Sequence, residues 1–409
     1  MDFHYTFSAL VAARALLAFA PLPDALKYSQ QLSSPLTSYA RLKEGVYLFS
    51  HGIDPYSGGL FRHSPLLLSA FTTLLPLKDP ISKLLWTACD AAAAWSLVKI
   101  WRLRQRVGKS SRDGLIAALY LLNPYLFLPS LALSTSSLEN TALLVAVAFA
   151  CERRSSASIL LLAILTHLSF SSIIYILPIF LLLTSSPVSN LASPRPFALD
   201  FKGLRKAVLP LVGEYFAYTT VLTAASTLVC GGSRAWVEKT WGSFFLLPDL
   251  TPNPGLWWYF FTEMFDHFRP FFLMVFSLHL LIYVLPITIK FQHDLLYATF
   301  LMAGVSATFK PYPTLSDPGL FLSLWSLFPE TYSYLRHPIV TALIHLHGSL
   351  LLPLFNHLWL ATGTGNANFF YASTLVFGIA NGAGLIDAIW AGLATAIPVK
   401  DGDWDVGQE

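Results

Sequence analysis

In the stretch LWWYFFTEMFDHFRPFF, residues 256–272, two acids, a base and an imidazole (Glu263, Asp266, Arg269 and His267) stand among aromatic side chains and a proline. A helix beginning at Glu263 would bring Glu263, Asp266, His267 and Pro270 onto related faces by three- and four-residue spacing. Asp266 and His267 have the composition of a general base and its orienting acid. No serine, cysteine or metal-ligand pattern accompanies them, however, and adjacent residues on a helix point about 100° apart. Two other chemistries suit the stretch better. Trp257, Trp258 and Tyr259 fit the headgroup depth of a bilayer, and ionisable residues near that depth mark sites for polar headgroups. An internally satisfied Asp266–Arg269 ion pair is the remaining alternative.

Three further stretches carry candidate chemistry. In SYARLKEGVYLFSHGIDPYSGGLFRHSPLLL, residues 38–68, Asp54–Pro55 and Gly58–Gly59 are turn residues that give the loop a defined shape. A multispanning glycosyltransferase acting on lipid phosphates would keep a catalytic carboxylate in such a loop. Asp54 lacks the second acid such a site uses, since the nearest carboxylate in sequence is Glu44, so a structural Asp–Pro turn is the reading preferred. In GTGNANFFYAS, residues 363–373, Asn366 and Asn368 stand beside Phe369, where the amides either cap a helix or hydrogen-bond a sugar or phosphate. Ser134 to Asn140 reads as a structural turn between two helices. His167 stands alone, and His345 and His347 are two apart and face different sides of a helix, so no metal site is expected. The three cysteines, Cys89, Cys151 and Cys230, are far apart and apolar in context, as buried free thiols are. No catalytic constellation and no cofactor motif emerge.

The elements that must position these residues belong to a membrane. The 409 residues are 55% hydrophobic and 12% charged, with mean hydropathy +0.56, against about 25% charged in soluble domains. Apolar segments fall near 5–22, 81–101, 114–133, 138–151, 156–183, 208–230, 271–289, 292–309, 317–329, 338–361 and 369–397. Of these, 156–183 and 369–397 are each either one long helix or two broken ones. Segment 64–76 is bracketed by prolines and too short to span. The fold class expected is therefore an all-α polytopic bundle of about 11–13 membrane segments, forming one integral domain over residues 1–409 with a retained first helix. Basic clusters at 99–112, Arg153–Arg154 and 202–206 all fall on the cytosolic side if the first helix enters from the cytosol and 64–76 does not cross. The polar loops 23–63 and 231–269 then face the lumen, and a Ser/Pro-rich loop near 185–207 faces the cytosol. The formal net charge of +3 is small and sets orientation, which makes nucleic acid an improbable partner.

Taken together, the 33–68 loop, NPYLFLPSLALSTSSLEN, GLWWYFFTEMFDHFRPFFLMVFSLH and the GNANFFYA run resemble, in the same order along most of the chain, the PIG-U family of glycosylphosphatidylinositol (GPI) transamidase subunits. This resemblance implies a scaffold like that of the GT-C glycosyltransferases, relatives among the GPI mannosyltransferases, and a location in the endoplasmic reticulum membrane. It also implies a non-catalytic role beside a cysteine-protease-like subunit, PIG-K, with PIG-T, PIG-S and a GPAA-type subunit as further partners. The ligand implied is the GPI lipid within surrounding membrane lipids. Its site is expected at Glu263, Asp266, His267, Arg269 and Trp258, with Asn366, Asn368 and Phe369. A mannosyltransferase-like enzyme using Asp54, or a purely architectural subunit, are the alternatives.

Overall fold

The computed structural model describes residues 3–21, 26–75, 77–194, 201–246 and 249–397; the acidic tail at 399–409 and the centre of the Ser/Pro-rich loop, 195–200, lie outside the described residues. Among the described residues every regular element is a helix. The chain runs through α1 (Phe3–Phe19), α2 (Tyr39–Ser50), α3 (Pro65–Thr73), α4 (Asp79–Gln105), α5 (Asp113–Leu121), α6 (Pro124–Leu131), α7 (Ser136–Cys151) and α8 (Ser155–Leu168). A 3₁₀ turn (Phe170–Tyr175) leads to α9 (Ile176–Thr184), α10 (Phe201–Val229), α11 (Ala235–Thr240), α12 (Gly242–Leu246), α13 (Trp258–Glu263), α14 (Arg269–Ile282) and α15 (Val284–Lys290). The last third comprises α16 (Leu295–Phe309), α17 (Ser316–Trp325), a 3₁₀ turn (Pro329–Tyr334), α18 (Pro338–Leu360) and α19 (Ala367–Ala394).

Local chemistry explains where several segments break. Asn123 caps α6 through the Tyr125 backbone N–H, and Pro124 cannot continue α5, so the 114–133 segment becomes two helices bent by 50°. Ser64 and Pro65 start α3 in the same way, and its nine residues are too few to cross a bilayer. The 156–183 segment is broken at Ser169, whose backbone is extended. By contrast, 369–397 holds one 28-residue helix, α19. Its Gly378 is required by packing, since a Cβ there would lie 2.1 Å from the Leu256 side chain. Four stretches are apolar and long enough to cross a membrane: Lys202–Val229, Arg269–Lys290, Pro338–Leu360 and Ala367–Ala394, with the bent α5–α6 pair as a fifth. The remaining apolar segments form shorter helices, apart from the 27-residue α4.

The core lies where α16, buried along nearly its whole length, packs against α9, α17 and α19, and where α4, α7 and α8 pack on one another beside it. Inside it, the Arg14 guanidinium donates to Asp90, whose carboxylate also accepts from Ser130 Oγ at 2.7 Å. The polar loops segregate to two ends of the bundle. At one end Arg104 meets Asp294 and Glu330, Lys99 meets Glu152 at 2.7 Å, and Arg102 meets Asp113 at 2.9 Å. At the other, Thr135 N–H donates to Thr37 O at 2.9 Å, Leu315 N–H to Gln31 O at 3.1 Å, and Arg41 pairs with Asp249 at 2.7 Å. The described parts of loops 23–63 and 231–269 thus share one end, and the basic clusters at 99–112 and Arg153–Arg154 share the opposite one.

Candidate functional site

The end that gathers loops 23–63 and 231–269 carries an aromatic shelf. The Trp258 ring lies 6.3 Å from Trp359 with the planes 15° apart, 5.9 Å from Phe370 and 5.8 Å from Tyr371. Tyr371 donates its hydroxyl to Leu256 O at 2.9 Å and packs on Tyr259 at 5.0 Å. The structure therefore joins the 256–272 stretch to the start of α19, two candidate regions more than a hundred residues apart. Trp258 is buried, yet its indole N–H has no acceptor among the described residues. Around the shelf Phe260, Phe265, Phe268, Phe271 and Phe369 stay exposed, and Phe369 stacks on Phe355 at 5.8 Å.

The individual candidates fall out differently from the expectation. No helix starts at Glu263: α13 ends there and Met264 turns extended, because the chain must reverse before Arg269 opens α14. Glu263, Asp266 and His267 accordingly do not share a helical face, and all three are exposed. Arg269 is the organiser of this reversal. It donates from Nε to Phe261 O and from Nη2 to Met264 O, both at 2.8 Å, and pairs with Asp266 at 2.7 Å. His267 lies against Phe268, and no carboxylate among the described residues is hydrogen-bonded to it. Asn366 caps α19 by accepting from Phe369 N–H at 3.2 Å, while Asn368 is exposed on the first turn.

Asp54 is likewise a turn residue. Its Oδ1 accepts from Tyr56 N–H at 2.9 Å and its carbonyl from Ser57 Oγ at 2.7 Å, an Asx turn that Pro55 pre-sets. Gly58 and Gly59 are exposed beside it, and Tyr56 anchors the loop by donating to His63 O at 2.8 Å. His63 is buried and donates from Nε2 to Ser38 O at 2.9 Å. Burial drives its pKa down to about 4, against that hydrogen bond, so the ring is neutral. At Asp249 burial is outweighed by hydrogen bonds from Thr251 and Arg41, which hold its carboxyl below the usual range.

A second feature escaped the sequence reading. Beside the shelf lies a cavity of about 40 Å³ bordered by Arg62, Glu139, His167, Ser169, Trp241 and Lys310. Lys310 pairs with Asp317 at 2.9 Å, and Asp317 also accepts from Thr314 N–H at 2.8 Å. Residues 309–317 form a wall between the two features. On one face Lys310 and Tyr312 line the cavity; on the other Phe309 O accepts from Trp257 Nε1 at 3.1 Å and Leu315 packs in the cluster around Trp258. Each of these residues stands alone in its own local sequence; only a signal coupling distant positions would have gathered them.

Comparison with known proteins places this geometry. The sequence profile of the family described as GPI transamidase subunit PIG-U matches residues 8–377. The GPI transamidase component GAB1 of Saccharomyces cerevisiae is 32% identical over 373 residues, 91% of this chain and 89% of that protein. The GPI-anchor transamidase component PIGU of Homo sapiens is 30% identical over 398 residues, 90% of this chain and 88% of that one. More distantly, the catalytic subunit of GPI alpha-1,4-mannosyltransferase I of Danio rerio is 25% identical over 390 residues, 91% of this chain and 93% of that one. That likeness supports the GT-C-type scaffold for the helical bundle.

Proposed function

The chain belongs to the PIG-U family of GPI transamidase subunits, and on that premise we propose that it is the non-catalytic subunit that holds the GPI lipid at its aromatic shelf. The observation that carries this reading is Trp258, sandwiched by Trp359, Phe370 and Tyr371 with its indole N–H lacking an acceptor, behind a rim of exposed phenylalanines. A lipid with a glycan headgroup needs both parts: aromatic faces at headgroup depth for sugar rings and acyl chain, and polar donors and acceptors above them. Asp266, His267, Asn368 and Glu263 supply the latter, all exposed at the rim. That no carboxylate of the described residues is hydrogen-bonded to His267 also favours binding over acid–base chemistry there.

In this reading the peptide chemistry belongs to a cysteine-protease-like PIG-K subunit, with PIG-T, PIG-S and a GPAA-type subunit completing the assembly in the endoplasmic reticulum membrane. A mannosyltransferase role through Asp54 is disfavoured, because the carboxylate is committed to its own turn. The test is lipid analysis of the purified complex carrying Phe268→Ala, Asn368→Ala and Phe369→Ala, substitutions that leave the Asn366 cap and the Trp258 stack in place. Loss of copurifying GPI from an assembled complex is the expected result. Full retention would refute the shelf as the site and favour an architectural subunit.

A further inference from the structure

We propose that the cavity beside Arg62 and Lys310 is a second lipid site, which takes the phosphoryl group of a membrane lipid whose chain lies along the flank of α10. The first observation is the state of Arg62. It is only 9% exposed, its Nη2 donates to Gly59 O at 2.7 Å, and its Nε is buried without a partner. No carboxylate of the described residues lies within ion-pair reach of it. The neighbouring acids are committed elsewhere: Asp249 to Arg41 at 2.7 Å, Asp317 to Lys310 at 2.9 Å and Glu238 to Lys239 at 3.1 Å. Glu139 borders the same cavity without an ion pair of its own.

A desolvated guanidinium without an acceptor is expensive, and a phosphoryl group supplies several acceptor oxygens in a geometry that its planar fork matches. Trp241 borders the same cavity, and its buried indole N–H has no acceptor among the described residues. The guanidinium of Arg62, met by no carboxylate of the described residues, and the unpartnered indole of Trp241 outnumber the one carboxylate that borders this cavity, Glu139, and the excess of donors describes a site for an anion. At about 40 Å³ the cavity has room for roughly three waters, enough for a phosphoryl group but not for a glycan.

The source of the anion follows from what lies behind Trp241. That ring also borders a groove of about 710 Å³ along α10, lined by Thr219, Thr223, Thr227, Leu228 and Arg234. His167 stands between the two spaces, bordering the cavity while its Nε2 meets Thr223 Oγ1, a groove residue, at 3.2 Å. The groove lies on a membrane-length helix whose Val221 and Leu228 are exposed, so an acyl chain would find an apolar track there. This assignment goes beyond the shelf and does not depend on it.

The experiment uses the purified complex in detergent and measures binding of dioctanoyl phosphatidic acid, dioctanoylglycerol and inorganic phosphate. Phosphatidic acid is expected to bind about tenfold more tightly than the uncharged dioctanoylglycerol, and Arg62→Gln to weaken it about tenfold. Arg62→Lys should recover part of that loss. Glu139→Gln should tighten binding by removing the competing negative charge. Equal binding of the two lipids, or an Arg62→Gln complex that binds phosphatidic acid normally, overturns the proposal. Inorganic phosphate binding as tightly as phosphatidic acid would overturn the lipid as the source. A thermal unfolding midpoint of Arg62→Gln close to the parent's separates loss of the site from loss of the fold.

Discussion

Two buried arginines at opposite ends of the bundle differ in one respect. Arg104 meets Asp294 at 2.9 Å, Glu330 at 2.6 Å and Ser189 Oγ at 3.0 Å, with its guanidinium over the Phe328 ring. Among the described residues Arg62 has a single carbonyl and no carboxylate. Both pay desolvation, but only Arg104 recovers it from within the chain, which makes it a pin joining α4 to the connections around Asp294 and Glu330. Arg62 is left with donors that something else must satisfy. Burial of a charge therefore does not separate structure from function, and neither does an unpartnered Nε, which Arg104 shares with Arg62; whether a carboxylate meets the guanidinium does.

That contrast can be broken by stability measurements on the purified complex. Arg104→Met should cause the largest loss, about 3–5 kcal/mol, since it strands Asp294 beside Glu330 without a cation; a thermal midpoint unchanged from the parent would remove the distinction between the two arginines. Asp90→Ala should cost about 3 kcal/mol by leaving Arg14 unpaired in the core, and the double variant Arg14→Leu/Asp90→Ala should recover part of it, as a double-mutant cycle would show.

Acid should act next, and at the Arg62 end. The folded state holds His63 at about 4 against an ordinary 6.5, so the unfolded chain binds the proton first. Its contribution is complete above pH 6.5 and is lost as pH falls towards 4, by up to about 3 kcal/mol. Asp249, whose carboxyl is held below its ordinary range, adds a loss of the same sign at lower pH still. Thermal midpoints between pH 7.5 and 4.5 should therefore fall, and His63→Gln should flatten the upper part of the curve.

Smaller effects sharpen the same picture. Asn366→Ala should cost about 1 kcal/mol by removing the cap of α19, and Asn366→Ser should restore most of it. If Asn366 instead served only a ligand, the apo complex would not register the change. The smallest effect is expected at Arg62: Arg62→Gln in lipid-depleted complex should lie within about 1 kcal/mol of the parent, because no internal ion pair is lost. A loss comparable to that of Arg104→Met would make the two ends alike.

Much of this was legible in the linear sequence wherever the governing physics is local. Hydrophobic runs gave the helices, the bracketing prolines gave the short segment that became α3, and Asp54–Pro55 gave a turn, whereas the break at Asn123–Pro124 lay unread inside the 114–133 run. Helical spacing misled at Glu263, because a chain reversal tied by Arg269 overrode the periodicity from that residue onward. It was equally silent on whether Asn366 caps or binds, since the same amide serves either purpose until its neighbour's N–H is placed.

The amino-acid sequence by itself determined a membrane-embedded helical bundle, polar loops at its ends and the family to which the chain belongs. Only the tertiary structure decided that Arg104 would find acids 190 and 226 residues away, that Trp258 would stack on Trp359 and Phe370, and that Arg62 would be buried with no acid of the described residues against it. Helix formation depends on neighbours a turn apart, whereas the compensation of a buried charge depends on which distant segments the packed bundle brings within hydrogen-bonding distance.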